Sequence, residues 1–110
     1  MWLSTHNSNQ SVVKEIEVEA TPEEVWEALT DEDAREEWLD TPEREIHVET
    51  ADAPRRLVWW WWEGDEEASR VEFLVVATPA GARVIVTESL TSPVRVPLTA
   101  LAAFFTLVAA

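Results

Sequence analysis

Glu88 is the polar residue of this chain whose type and position are best suited to chemistry. Residues 82–88 alternate between apolar and polar side chains, so Val84, Val86 and Glu88 share one face of a predicted strand. A carboxylate that ends a buried apolar stripe can orient a ligand or act as a general acid or base. Alternatively, Glu88 lies at the strand end, where it reaches water or pairs with an arginine. Glu88 is therefore only a weak candidate for a catalytic residue.

Four consecutive tryptophans, Trp59, Trp60, Trp61 and Trp62, form the most unusual run in the sequence. A strand sends alternate side chains to opposite faces, so two of these rings point each way. Rings on a buried face either pack as plain core or form the wall of a pocket that stacks an aromatic ligand. An exposed pair of tryptophans more often marks an interface, and a homodimer is one such interface.

Other catalytic and metal-binding patterns are missing from the sequence. The two histidines, His6 and His47, have no metal-ligand spacing, and the acidic run 31–33 lacks the pattern of a calcium loop. The chain has no cysteine, phosphate-binding loop, dinucleotide fingerprint or nucleophile elbow. We expect no metal and no cofactor, and these absences favour a binding protein over an enzyme.

The composition describes one acidic domain. The chain has 110 residues, 46% of them apolar, and a net charge of −14 from 8 basic and 22 acidic residues. Such acidity argues against binding nucleic acid or an anionic membrane surface. Three basic and fifteen acidic residues lie between positions 14 and 49. This negative half is either a solubilising surface or a docking face for a basic protein partner.

The two ends of the chain lead to separate expectations. Residues 1–11 are polar and lack the basic and apolar regions of a signal peptide, so we expect a flexible tail and a cytoplasmic protein. Residues 98–110 carry no charge, but this run is shorter than the roughly 18–20 residues that span a bilayer. It is therefore predicted to be a core helix, with no membrane span.

The periodicity of residues 12–110 predicts a single α+β domain. Residues 12–20 form a first strand, and Thr21 and Glu24 have the spacing of a capping box for a helix. A second short helix follows from about residue 31, and the chain then returns to alternation. Strands are predicted at 43–50, 55–62, 69–77 and 82–88, followed by the C-terminal helix. Their tight connections favour an antiparallel meander.

Three stretches resemble the START-like, helix-grip superfamily. They are VEATPEEVWEALTDEDAREEW at 18–38, PRRLVWWW at 54–61 and SRVEFLVVATPAGARVIVTES at 69–89. The superfamily includes the polyketide cyclases and aromatases, the birch pollen allergen and proteins like the heat-shock-protein-90 ATPase activator. The resemblance implies a curved antiparallel sheet that wraps a long C-terminal helix, with two short helices after the first strand.

The resemblance also implies a cavity between the sheet and the last helix, which would bind a small hydrophobic or aromatic molecule. In the family pattern Trp59 and Trp61 face this cavity, and Trp60 and Trp62 lie on the outer face. The predicted ligand-binding residues are Trp38, Ile46, Val48, Trp59, Trp61, Phe73, Val75, Val86, Glu88, Leu101 and Phe105. The alternatives are a co-chaperone-like interaction module and a cyclase-like enzyme that uses Glu88.

The sequence departs from the family pattern between positions 39 and 50. Family members commonly have a glycine-rich hairpin there, whereas this stretch is short and contains no glycine. One or two strands are therefore expected to be missing, and the sheet edge they leave would be open or covered by a second copy of the chain.

Overall fold

The computed structural model describes residues 11–41, 43–91 and 94–109. His6 and nearly all of the predicted N-terminal tail lie outside these residues. The described chain is α+β, with a curved five-stranded antiparallel sheet and three helices, and is consistent with the helix-grip fold. The elements in order are β1 (Ser11–Val18), α1 (Pro22–Thr30), α2 (Glu32–Trp38), β2 (Glu45–Asp52), β3 (Arg56–Trp62), β4 (Ser69–Thr78), β5 (Gly81–Ser89) and α3 (Leu98–Ala109).

The strands form one sheet in the order β1-β5-β4-β3-β2. Strands β2 to β5 are the predicted meander, and β1 pairs with the far side of β5. Strand β1 begins at Ser11, one residue before its predicted start, and ends at Val18. Strand β2 runs two residues later than predicted, from Glu45 to Asp52. The sheet therefore presents one inner face to the helices and leaves β2 at an edge.

Helices α1 and α2 begin where their sequence signals predict. Thr21 accepts a hydrogen bond from the Glu24 backbone N–H, and the Glu24 carboxylate accepts one from the Thr21 N–H at 2.8 Å. These two bonds satisfy backbone donors that the first turn of a helix otherwise leaves open. Asp31 ends α1 and also caps α2, so the chain turns sharply between the two helices.

The helices cover the inner face through a continuous apolar core. Val25 and Leu29 of α1 are fully buried, as is Leu101 of α3. The indole N–H of Trp38 donates to the Ala28 carbonyl at 2.8 Å and thereby joins α2 to α1. Since these side chains form one cluster with the inner-face residues of the sheet, the helices and the sheet share a single core.

The turn between β4 and β5 requires a glycine at position 81. A Cβ atom at Gly81 would lie 2.2 Å from the Val18 carbonyl oxygen, whereas a Cβ at Gly64 would meet nothing within 4 Å. Both glycines have positive φ, at 156° for Gly81 and 58° for Gly64. The close packing of this turn against the end of β1 therefore leaves no room for a side chain at Gly81.

We expect Gly81→Ala to lower the free energy of unfolding by about 3 kcal/mol or more, because backbone atoms would have to shift. The matched control Gly64→Ala should cost about 1–2 kcal/mol, which is the conformational penalty alone. Urea unfolding followed by circular dichroism measures both. Equal losses for the two variants would contradict this account of the turn.

Candidate functional site

An aromatic cluster lies at the centre of the inner face. Trp59 and Trp61 of β3 and Phe73 of β4 are each fully buried. The ring centroids of Trp59 and Trp61 are 5.8 Å apart, and Phe73 meets Trp59 edge to face at 4.8 Å. Alternation along β3 places both tryptophans on this face, as predicted from the resemblance.

Two arginines cover the tryptophan rings. The guanidinium carbon of Arg35 lies 5.6 Å from the Trp59 ring centroid, and that of Arg44 lies 4.6 Å from the Trp61 centroid. Arg44 is nearly buried and pairs with Glu66, with distances of 3.3 Å from Nη1 to Oε1 and 2.5 Å from Nη2 to Oε2. The ring faces are thus held by cation–π contacts, which are strongest where both groups are removed from water.

Among the described residues, three buried donor atoms of the inner face have no hydrogen-bond partner. They are Nε1 of Trp59, Nε1 of Trp61 and Oγ of Ser69. Ser69 lies directly opposite Trp61 in the pairing of β3 with β4, so its hydroxyl is on the same face as the indoles. A buried donor without an acceptor destabilises the fold by about 1–3 kcal/mol. Such groups are therefore sites at which a water molecule or a ligand oxygen binds favourably.

Glu88 is fully buried on the inner face of β5. Its Oε2 accepts a hydrogen bond from the Val96 backbone N–H at 2.6 Å. Its Oε1 has no hydrogen bond but forms an ion pair with Lys14 Nζ at 3.1 Å, and Lys14 also donates to the Val96 carbonyl at 3.1 Å. Glu88 thus lies next to the end of β5 and pairs with a lysine of β1, where an arginine was one expectation.

An open pocket of about 370 Å³ lies between α2 and β2. Its lining includes the two arginines that cover the tryptophans, together with the apolar residues Leu39 and Ile46. A smaller pocket of about 180 Å³ lies between α3 and the first two helices, where Phe105 contributes to its wall. The aromatic cluster itself is closed, so a ligand reaches it only if the covering side chains move.

The structure places most predicted ligand-binding residues in the core and leaves two outside it. Val48 is 46% exposed, because β2 is an edge strand and the described helices do not cover this part of it. Ile46 is half-buried in the wall of the open pocket. The others are buried, namely Trp38, Trp59, Trp61, Phe73, Val75, Val86, Glu88, Leu101 and Phe105. The predicted enclosed wall therefore does not extend to Val48.

Sequence reasoning missed the charged and hydroxyl residues of this region. Arg35 and Arg44 were not singled out, although each lies over a ring of the tryptophan run. Ser69 was read only as the start of a strand. Lys14 lies in the apolar register of β1 together with Val12 and Ile16, and this position is the sequence signal from which a buried acidic partner could have been inferred.

Several solved structures share this fold. CalU16 from Micromonospora echinospora matches with a TM-score of 0.72 at 19% identity, over 87% of this chain and 76% of CalU16. MLL2253 from Mesorhizobium loti matches at 0.64 and 22% identity, over 76% of this chain and 78% of MLL2253. DynU16, from the dynemicin biosynthetic locus, matches at 0.64 and 19% identity, over 90% of this chain and only 43% of DynU16. The chain has their fold.

At such identities the likeness extends to the fold alone, so membership of the superfamily stays a prediction. No protein-family model matches the chain, and no curated protein does. The likeness to CalU16 nevertheless agrees with the fold that the sequence resemblance implies. The match includes 87% of the chain.

Trp60 and Trp62 lie half-buried on the outer face, as predicted. The Trp60 indole donates to the Glu49 carboxylate at 2.8 Å, and Arg70 donates to the same carboxylate at 3.3 Å. The hydrogen bond from Arg70, and then that from Trp60, hold the pKa of Glu49 below its usual value. Whether this face carries a homodimer interface stays a prediction.

The described residues contain neither a cluster of metal ligands nor a helix that could span a membrane. Within residues 11–41, 43–91 and 94–109, no three histidine, cysteine, aspartate or glutamate side chains come together as a metal site. In the same residues, no helix is long and apolar enough to cross a membrane. The expected absence of a metal or cofactor, and the cytoplasmic location, stay predictions.

The buried Glu88 makes Lys14 important for stability. Lys14→Met should lower the free energy of unfolding by about 2–3 kcal/mol, because a buried carboxylate loses its counter-ion. This loss of stability is smaller than the loss expected for a fully buried ion pair, because 36% of the Lys14 side chain is exposed. Glu17→Gln, which breaks an exposed 3.7 Å pair with Arg83, should cost about 0.5 kcal/mol or less. Similar losses in both variants, measured by urea unfolding, would contradict the prediction.

The contact between Arg70 and Glu49 predicts a measurable titration shift. Arg70→Gln should raise the pKa of Glu49 towards its usual value, because its strongest hydrogen-bond donor is lost. Carboxyl-carbon NMR across acidic pH gives this pKa directly. Arg83→Gln is the control on the same face and should leave it unchanged. Because the pKa of Glu49 is lower in the folded protein than in the unfolded chain, the contact stabilises the folded state at pH values above the unfolded pKa. This stabilisation is lost as the pH falls through the pKa that Glu49 has in the folded protein.

Proposed function

We propose that this chain binds a small hydrophobic or aromatic molecule between the inner face of the sheet and the helices. The observation that carries the proposal is the set of buried, unpartnered donors at Trp59, Trp61 and Ser69. Interiors seldom leave such groups unsatisfied, and here three of them lie beside one aromatic cluster. A planar ligand that carries an oxygen acceptor would supply both the ring contacts and the missing hydrogen bonds.

The covering arginines suit a site that opens. Arg35 donates to the Leu29 carbonyl at 3.2 Å, and its guanidinium lies over Trp59. A ring of a ligand would displace this cation from the tryptophan face without breaking the core beneath it. Trp59 is buried and Arg35 is half-buried, so the contact is worth about 1–2 kcal/mol, which new ring contacts of a ligand would offset.

The contacts of Glu88 favour binding over catalysis. One oxygen holds the Val96 backbone and the other is paired with Lys14, so the carboxylate is engaged in structure. A general acid or base must instead reach the substrate proton that it transfers. The cyclase-like alternative therefore has less support than a carrier or sensor of a small molecule.

An interaction module that binds a basic protein remains the second candidate. Nine acidic residues and one basic residue lie between positions 22 and 40, which include α1 and α2. Such a surface would bind a basic partner with an affinity that falls steeply as the salt concentration rises. Binding of a neutral aromatic molecule would instead be nearly independent of salt.

The test is a titration of the ¹⁵N-labelled protein with 2-naphthol, a neutral fused-ring probe with one oxygen. We expect the indole N–H signals of Trp59 and Trp61 to shift saturably, because these donors gain an acceptor, while those of Trp60 and Trp62 stay in place. Trp61→Phe, which removes one donor, should weaken binding about two- to tenfold. Trp62→Phe is the matched outer-face control.

Two results would reject the proposal. One is that no saturable shift occurs at Trp59 or Trp61 up to the solubility of the probe. The other is that only the outer-face tryptophans respond, which would place binding on the opposite side of the sheet. Native mass spectrometry of the purified protein adds an independent check, since a retained ligand appears as extra mass that is lost on denaturation.

A further inference from the structure

We propose that the pocket between α2 and β2 is a second binding site, for a small molecule with an oxygen acceptor at one end and an amine at the other. Its volume of about 370 Å³ is at the lower end of the roughly 300–1,000 Å³ of ligand pockets in proteins. It adjoins the inner-face site, and the side chains of Arg35 and Arg44 stand between the two, because they line the pocket and also cover the rings of Trp59 and Trp61.

Two lining residues carry buried polar atoms with no hydrogen-bond partner, which are Nε of Arg44 and Oγ1 of Thr41. Each Nη atom of Arg44 donates one hydrogen bond to Glu66, whereas Nε donates none among the described residues. The Arg44 side chain is only 1% exposed, and bulk water therefore does not satisfy it. A carboxylate, carbonyl or phenol oxygen in the pocket would accept from these groups once the side chains of the pocket wall shift, because both atoms are buried.

Carboxylates also line the pocket. Glu32, Glu36 and Asp40 all contribute to its wall and are exposed, and they outnumber its two guanidinium groups. Since Arg44 is already neutralised by Glu66, the net charge of the lining favours a cation. Leu39 and Ile46 supply apolar surface. The lining thus suits a short apolar body that carries an ammonium group besides its oxygen acceptor, and it disfavours a molecule with two negative charges.

The probe for this proposal is 4-(aminomethyl)benzoate, which has a carboxylate and an amine on opposite sides of one ring. Benzylamine and benzoate each keep one of these groups, and terephthalate replaces the amine with a second carboxylate. Binding is followed on the ¹⁵N-labelled protein through the side-chain Nε–H signal of Arg44. We expect a saturable shift with 4-(aminomethyl)benzoate, weaker binding of both single-group probes and none of terephthalate.

The variants test each end of the site. Thr41→Val removes the buried hydroxyl with little change in shape and should weaken binding about two- to tenfold. Its control is Thr50→Val, on the outer face of β2. Glu36→Gln should weaken binding about two- to fivefold, whereas Glu37→Gln on the same helix, outside the pocket lining, should not. Thermal unfolding of each variant confirms that the fold is retained.

The outcomes separate this site from the inner-face site. A response at the Trp59 and Trp61 indoles without one at Arg44 Nε–H would overturn the pocket proposal and leave the inner-face proposal standing. The reverse pattern, together with a failed 2-naphthol titration, would support the pocket alone. Equal affinity for benzylamine or benzoate, or an unchanged affinity in Thr41→Val, would also overturn it.

Discussion

The burial of the Glu88 carboxylate constrains the arrangement of the sheet and the last helix. An ionised carboxylate in an apolar interior must be paired and hydrogen-bonded, and here the partners come from different parts of the chain. Lys14 of β1 supplies the cation, and the Val96 N–H supplies the hydrogen bond. Because Lys14 also binds the Val96 carbonyl, both backbone groups of Val96 are held. Helix α3 begins two residues later, so its start on the inner face is set by this contact.

Much of the fold could be predicted, because the alternation of apolar and polar residues shows which side chains share a face of a strand. The period of two in β3 puts Trp59 and Trp61 on one face and Trp60 on the other, and the family resemblance implied that the first pair points inward, where the structure has it. In β5 the same period puts Glu88 on the apolar face of Val84 and Val86. The capping residues Thr21 and Asp31 likewise marked two helix starts through bonds to residues only three positions away. Patterns of this kind are local, and a single sequence is sufficient to reveal them.

The candidate site depends on contacts that no local pattern contains. Arg44 is buried because Glu66, 22 residues further along the chain, accepts its hydrogen bonds and because Trp61 offers a ring face. Lys14 and Glu88 meet only through the pairing of β1 with β5. The exposure of Val48 has the same origin, since alternation predicts which face a residue is on but not whether another element covers that face. Among the described residues, β2 is the last strand of the sheet on this side.

The ring faces and the indole N–H groups of the inner-face tryptophans differ in whether they have a partner. The π faces of Trp59 and Trp61 are occupied by the guanidinium groups of Arg35 and Arg44, whereas their indole N–H groups have no acceptor. A purely apolar ligand would have to displace the arginines and would still leave the donors unsatisfied. A ligand with an oxygen acceptor would offer hydrogen bonds to these donors, whether or not it also displaces a cation. The binding site that we propose therefore favours an oxygen-bearing aromatic molecule over a hydrocarbon.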